Sequence, residues 1–411
     1  MVRTERLAQD VVVVDMGVVC ALGSTWPGVL RALQRGDSGL VFDDLQGYPS
    51  AVGRVQEDVP QHGPNGQALD RGVGLALACA QQLQPLPAVD PARMAVFWGV
   101  GLAGAHLLEH TYAGLGTDLG KAHTPPWLVP MVMPNAAASL LAMRLGLQGG
   151  AWTQASACAS SAMALGQALH AIRAGALDLA VAGGSDAMLT PGMCRAWARM
   201  RVLARTTPAQ APAACRPFDA ARKGLALAEG AACLVLMSGR MARAHARTPL
   251  ARLLGFGHSC DAHDLTAPLA AGQAQAMRLA LQDANTAPAQ LRYVCAHATG
   301  TPLGDRTELQ ALQAVFGGQV PTCAVASLKS VLGHTLGASG ALACAMTVAM
   351  LATQWWAPTV HLQSPDAAWA DWCLPTPAQP APSGVGLAMV NAFGFGGSNA
   401  SLVLAPAAEG S

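Results

Sequence analysis

Short apolar runs alternate along this chain with longer stretches of helical character. Val11–Val14 reads as a strand and Trp26–Arg35 as a helix. Met94–Gly99 reads as a strand leading into a helix through Glu109, and Leu177–Ala182 as a strand ending at Gly183-Gly184. Ala231–Met237, Tyr293–Ala296, Val325–Ser327 and Leu387–Asn391 are further strands. This alternation predicts α/β layers. Pro60–Gln67 and Thr206–Pro217, rich in Pro and polar residues, read as loops.

Two segments suggest an internal duplication. Small residues at Ala157–Ser161 open a long helix to Ala174, and Gly337–Gly340 open a similar Ala-rich helix to Thr353. The stretch Gly337–Val360 carries no charge and is long enough to cross a bilayer. It is built from Ala, Gly, Ser, Thr and Cys and ends in Gln354-Trp355-Trp356-Ala357-Pro358, so a buried helix running into a strand is expected, with no membrane span.

The 411 residues, 52% hydrophobic and 12% charged, can bury a large core and fit one large or two fused α/β units. A formal net charge of +1 gives no bulk attraction to nucleic acid or membrane. Eleven scattered cysteines without a CxxC pair suggest reduced cytosolic thiols. The N-terminal apolar run is too short for a signal-peptide core, so a cytoplasmic location is expected. Arg dominates over Lys, which occurs only at Lys121, Lys223 and Lys329, so a retained Lys is a candidate for a site needing a compact charge.

Two apparent motifs fail on context. Gly99, Gly101 and Gly104 with Asp118 have dinucleotide-fingerprint spacing, but hardly any room remains for a second strand before Asp118, and Thr111–Gly120 reads as a Gly-rich loop. His258, Cys260, Asp261, His263 and Asp264 fit no common zinc spacing and read as a polar loop; no metal is expected.

Three places carry more specific chemistry. Cys158, in Ala155-Ser156-Ala157-Cys158-Ala159-Ser160-Ser161, begins a helix, where the helix dipole favours a thiolate. A small core cysteine would read the same from periodicity. His297 follows a strand and opens the turn His297-Ala298-Thr299-Gly300-Thr301. Lys329-Ser330-Val331-Leu332-Gly333-His334 also follows a strand, as does the glycine loop Asn391–Asn399. Together they make a plausible nucleophile, acid/base and oxyanion set.

Taken together, these segments resemble the elongating β-ketoacyl-acyl-carrier-protein synthases of the thiolase superfamily. The resemblance spans nearly the whole chain, from Val11–Gly23 and Leu30–Gly39 through Cys158, Val181–Asp186 and Cys215-Arg216-Pro217-Phe218-Asp219 to Gly394–Asn399. It implies a duplicated five-layer α-β-α-β-α fold, with residues 1–248 as the half carrying the nucleophile and 249–411 as the half carrying both histidines. It implies that Cys158 takes the acyl chain. His297 and His334 would drive decarboxylation of a malonyl thioester, with Lys329 and Glu308 positioning them. The N–H groups of Cys158 and Phe395 would form the oxyanion hole, and Phe395 would gate the cysteine. Thr299 and Thr301 would touch phosphopantetheine, which arrives on an acyl carrier protein, so no resident cofactor is expected. Arg205 matches a carrier-protein contact, Met131–Ala138 the acyl pocket. A homodimer, or a heterodimer with a related ketosynthase, is implied. The His–His pair favours elongation over thiolysis or coenzyme A-primed initiation. The presence of Cys158 argues against a non-catalytic chain-length-factor-like partner. The chain departs from the family pattern at Val14-Asp15-Met16-Gly17, Gln154-Ala155-Ser156-Ala157, Ala228 and Ala298, none of which is the nucleophile or a histidine.

Overall fold

The computed structural model describes residues 10–115, 124–318, 323–377 and 386–407. Asp118 and Lys121 lie outside the described residues. Ten strands form one sheet: β1 (Val11–Val19), β2 (Met94–Gly99), β3 (Ala151–Gln154), β4 (Leu179–Asp186), β5 (Gly230–Ser238), β6 (Ala251–Cys260), β7 (Leu291–Cys295), β8 (Ala324–Ala326), β9 (Leu387–Gly394) and β10 (Ser398–Pro406). Their order is β8-β7-β9-β10-β6-β1-β5-β4-β2-β3. Each group of five consecutive strands repeats one topology, and the two groups meet back to back where Val11–Val13 pairs with Ala251–Leu253. The duplication suggested by two helices is thus carried by the strands as well.

Six helices complete the layers: α1 (Arg71–Ala80), α2 (Ala136–Leu145), α3 (Ser160–Arg173), α4 (Ala270–Asp283), α5 (Pro302–Val315) and α6 (Ser339–Thr353). Helices α3 and α6 lie between the two five-stranded groups and share a core with strands of both, including Leu165, Leu169, Met346 and Met350. Helices α1 and α2 cover one outer face, α4 and α5 the other. The result is the expected five layers. Helix α6 is apolar on all sides, with 12 of its 15 residues buried, because it faces sheet in two directions. The charge-free stretch is therefore the centre of the protein, although the chain after Gln354 is extended coil rather than the expected strand.

The two middle helices begin alike. Each follows a one-turn 3-10 segment, Ala157–Ala159 or Leu336–Ala338, whose first residue is left-handed (Ala157 φ +48°, Leu336 φ +51°). The two turns abut. Ala341 N–H donates to Ser161 Oγ at 2.9 Å, and a β-carbon on Gly340 would come within 2.7 Å of Ala162 N.

The glycines of the dinucleotide-like motif are packing residues. A β-carbon on Gly99 would sit 2.3 Å from Ser161 N, and one on Gly104 would sit 2.5 Å from Val132 Cβ. Gly101 N–H donates to Asp186. These glycines let β2 lie against the start of α3 rather than cradle a phosphate.

Candidate active site

Strand β3 ends just before the turn that presents Cys158. A left-handed Ala157 costs about 1 kcal/mol, held in place by its surroundings. Ser160 Oγ accepts from Ser156 N–H at 2.8 Å and lies 2.6 Å from Ala157 O. The glycine loop after β9 closes over the turn. A β-carbon on Gly394 would come within 2.8 Å of Ser156 O and 3.0 Å of Cys158 N, so only glycine permits this approach. The backbone N–H groups of Phe395 and of Cys158 itself reach the Cys158 sulfur.

Both histidines converge on this thiol from the second half of the chain. His334 Nε2 lies 3.0 Å from Cys158 Sγ, and its Nδ1 lies 3.0 Å from Ser339 Oγ, the first residue of α6. With Nδ1–H donating to Ser339, Nε2 is left as an acceptor for the thiol proton. The His297 ring stands 5.3 Å from that of His334, nearly perpendicular at 83°. Its turn is fixed by Glu308 on α5, whose carboxylate accepts from His297 N–H (2.9 Å), Ala298 N–H (2.7 Å) and Asn391 Nδ2 (3.0 Å). Lys329 is buried and forms no ion pair among the described residues.

The electrostatics correct one expectation. Burial outweighs the helix terminus and pushes the Cys158 thiol up to about 12, with Lys329 and the two backbone N–H groups pulling against it. The resting sulfur is a neutral thiol that needs His334 as its base, not a preformed thiolate. Burial, and then the Lys329 charge, hold both histidines well below the ordinary imidazole range, so each is neutral at pH 7. Burial also lowers Lys329 and raises Glu308.

A cavity opens above the thiol. Cys158, His297 and His334 lie on its wall with Thr299 and Thr301, whose hydroxyls meet at 3.0 Å. Phe395 is partly exposed at the wall and stacks on Trp197 at 5.9 Å. Arg205 lies outside the cavity, exposed, with its guanidinium 4.5 Å above the Tyr48 ring. Met131–Ala138 does not reach this cavity. Met133, Pro134 and Ala137 instead line a separate small cleft beside Asp70 and Gly104.

Sequence reasoning missed several members of the site. Ser339 had a signal, a hydroxyl five residues after His334 at a helix start. The segment Asp264–Pro268 walls the cavity, and Leu265 O accepts from Gly396 N–H at 2.8 Å. Only its Asp264 belongs to the cluster read as a polar loop, of which His258 and Cys260 lie on β6. The cluster's carboxylates are occupied: Asp261 accepts from Leu269 N–H and Asn399 Nδ2, Asp264 from Thr266 and Ala267 N–H.

The model of the β-ketoacyl synthase N-terminal domain matches residues 8–242, and that of the C-terminal domain matches residues 250–363. This chain belongs to the β-ketoacyl synthase family. The ketosynthase is 36% identical over 407 residues to nodulation protein E of Rhizobium meliloti (95% of this chain, 98% of the relative). It is 30% identical over 407 residues to 3-oxoacyl-[acyl-carrier-protein] synthase 2 of Staphylococcus aureus (96% and 97%). Among solved structures, a β-ketoacyl synthase from Burkholderia phymatum superposes with a TM-score of 0.84 at 29% identity (97% and 99% covered). A type II polyketide acyl-carrier protein in complex with its ketosynthase gives a TM-score of 0.86 at 26% identity (97% and 99%). This ketosynthase is accordingly an acyl-transferring condensing enzyme.

Proposed function

We propose that this ketosynthase elongates carrier-bound acyl chains by decarboxylative condensation in fatty-acid or type II polyketide or polyene synthesis. The observation that carries the reading is a thiol 3.0 Å from one imidazole nitrogen, with a second imidazole ring 5.3 Å from the first. In the first half-reaction Cys158 attacks the thioester carbonyl of an acyl carrier protein. Its proton passes to His334, the N–H groups of Cys158 and Phe395 hold the oxyanion, and the pantetheine thiol leaves with a proton. In the second, Ser339 Oγ donates to His334 Nδ1 so that the ring proton sits on Nε2, malonyl-carrier protein loses carbon dioxide, and both histidines donate hydrogen bonds to the resulting enolate. The enolate carbon attacks the acyl carbonyl, the new C–C bond forms, the C–S bond to Cys158 breaks, and the released thiolate takes up a proton from solvent.

Glu308 and Lys329 act as positioning residues in this reading. Thr299 and Thr301 meet the phosphopantetheine arm, which belongs to the substrate, and Arg205 meets the carrier protein's acidic surface. Such soluble partners suit a cytoplasmic enzyme. Strand β3 ends the sheet with an open edge, and the exposed Trp152 lies on it and the exposed Met143 on α2, which packs against it. That edge supports pairing with a second copy or with a related ketosynthase subunit.

The test is incubation with an acyl carrier protein and malonyl-carrier protein, followed by intact-mass analysis. A β-ketoacyl product two carbons longer is expected. Acylation of Cys158 without any such product would overturn the proposal.

A further inference from the structure

Polar groups on the wall of the main cavity are mostly partnered within the protein. The Thr299 and Thr301 hydroxyls bond each other, Glu308 holds three donors, and Asn399 Nδ2 lies 2.7 Å from Asp261 Oδ1. His297 Nδ1 lacks a partner among the described residues. The other exception is Gln273, in the first turn of α4. It lines the cavity yet is only 2% exposed, and its Oε1 is buried without a hydrogen bond from any of the described residues. Its position is rigid. A β-carbon on the preceding Gly272 would fall 1.8 Å from Asp261 Oδ1, so this turn of α4 is pressed onto the Asp261–Asn399 pair.

A buried amide oxygen without a donor costs folding free energy that a leucine of similar size would not. What satisfies it must bring an N–H or O–H. An ionised carboxylate and a thioester carbonyl offer only acceptors, and a saturated acyl chain offers neither. We propose that Gln273 is a specificity-determining residue that accepts a hydrogen bond from an N–H or O–H group of the thioester substrate. The inference rests on the condensing-enzyme reading above. The donor is either an amide N–H of the pantetheine arm or a hydroxyl on the acyl chain, and both present the same chemistry to Oε1.

The experiment compares the parent with Gln273→Leu and, as a second apolar replacement, Gln273→Met. Two primers of equal length are used, a saturated and a hydroxylated acyl chain, each on carrier protein, with malonyl-carrier protein as extender. The expected result is a rise of about tenfold in KM, the size of one neutral hydrogen bond, with kcat little changed. The melting temperature should hold or rise, because the unpaired amide is gone. An equal rise for both primers assigns the donor to the pantetheine arm. A rise confined to the hydroxylated primer assigns it to the chain. KM within about twofold of the parent for both primers in both variants overturns the proposal, as does a fall in melting temperature without a change in KM. The parent is the control for the underlying reading: no β-ketoacyl product from it defeats that reading, whereas parental turnover beside indifferent variants defeats only the role of Gln273.

Discussion

Asp186 accepts backbone hydrogen bonds from both Gly101 (2.9 Å) and Gly337 (2.8 Å), so one buried carboxylate joins the first half of the chain to the turn just after His334. Its other oxygen, Oδ1, has no partner among the described residues. Burial pushes Asp186 up to about 7, against the pull of its backbone donors. An unfolded aspartate titrates near 4. Between roughly pH 4 and 7 the folded chain therefore holds a proton that the unfolded chain has released, and stability declines as pH rises through this window. Asp305, also raised to about 7 by burial, adds to the same decline. Asp186→Asn keeps an acceptor for both N–H groups and removes the charge. Its melting temperature should depend less on pH than the parent's between pH 5 and 8, with its relative advantage growing toward pH 8. Parallel curves for parent and variant would show that Asp186 does not titrate here.

The nucleophile prediction separates substrate from reagent. Acyl carrier protein should acylate Cys158 alone, because the other cysteines do not line the cavity. A small alkylating agent should also modify Cys260, the one exposed cysteine. Cys158→Ala should abolish acylation and leave Cys260 labelling unchanged. Peptide mass spectrometry after limited labelling measures both, and acyl groups elsewhere in the wild-type chain would refute the assignment.

The histidines should split the half-reactions. His297→Ala should cost decarboxylation about 100- to 1000-fold, the usual loss for one oxyanion donor, and leave acylation of Cys158 largely intact. His334→Ala should slow both steps, because Nε2 is the base 3.0 Å from a thiol that burial keeps protonated. Carbon dioxide release and the rate of acyl-enzyme formation report the two steps separately. Parental acylation by the His334 variant would remove it as the base.

Lys329 should tolerate Arg poorly. It is buried beside both histidines, where a planar guanidinium needs more room than an ammonium. Lys329→Arg should lose most condensation activity at an unchanged melting temperature. Lys329→Met should act through charge. Without the cation, both imidazoles move up toward their ordinary range, so the acid limb of the rate profile should shift to higher pH. Turnover of Lys329→Arg within about twofold of the parent, far short of a catalytic-group effect, would make Lys329 merely structural.

The repeated fold was legible where strands are continuous apolar runs, as at β2, β7 and β9. It was hidden at β6, whose apolar pattern Arg252, Gly255 and Gly257 interrupt. Those glycines are strand residues that admit α4. A β-carbon on Gly257 would lie 2.2 Å from Ala276 O, and one on Gly255 would lie 2.3 Å from Ala280 O. Strand β10 was lost behind the glycine loop that precedes it. At the site, residue types and their places at strand ends exposed Cys158, His297 and His334. The protonation state of Cys158 was not legible, since a helix terminus shows in sequence and desolvation does not. Gln273 was equally silent, one polar residue in a helix until the cavity gave it a direction.

The two 3-10 turns that open α3 and α6 are near copies, but only one of them presents a side chain at the centre. The residue matching Cys158 is Gly337, where a β-carbon would lie 2.2 Å from Gly101 N. The meeting point of the two halves has room for a single thiol. One acyl group per chain is therefore a limit set by backbone spacing, and a second cysteine placed at position 337 would break the joint between the halves before it could carry a second load.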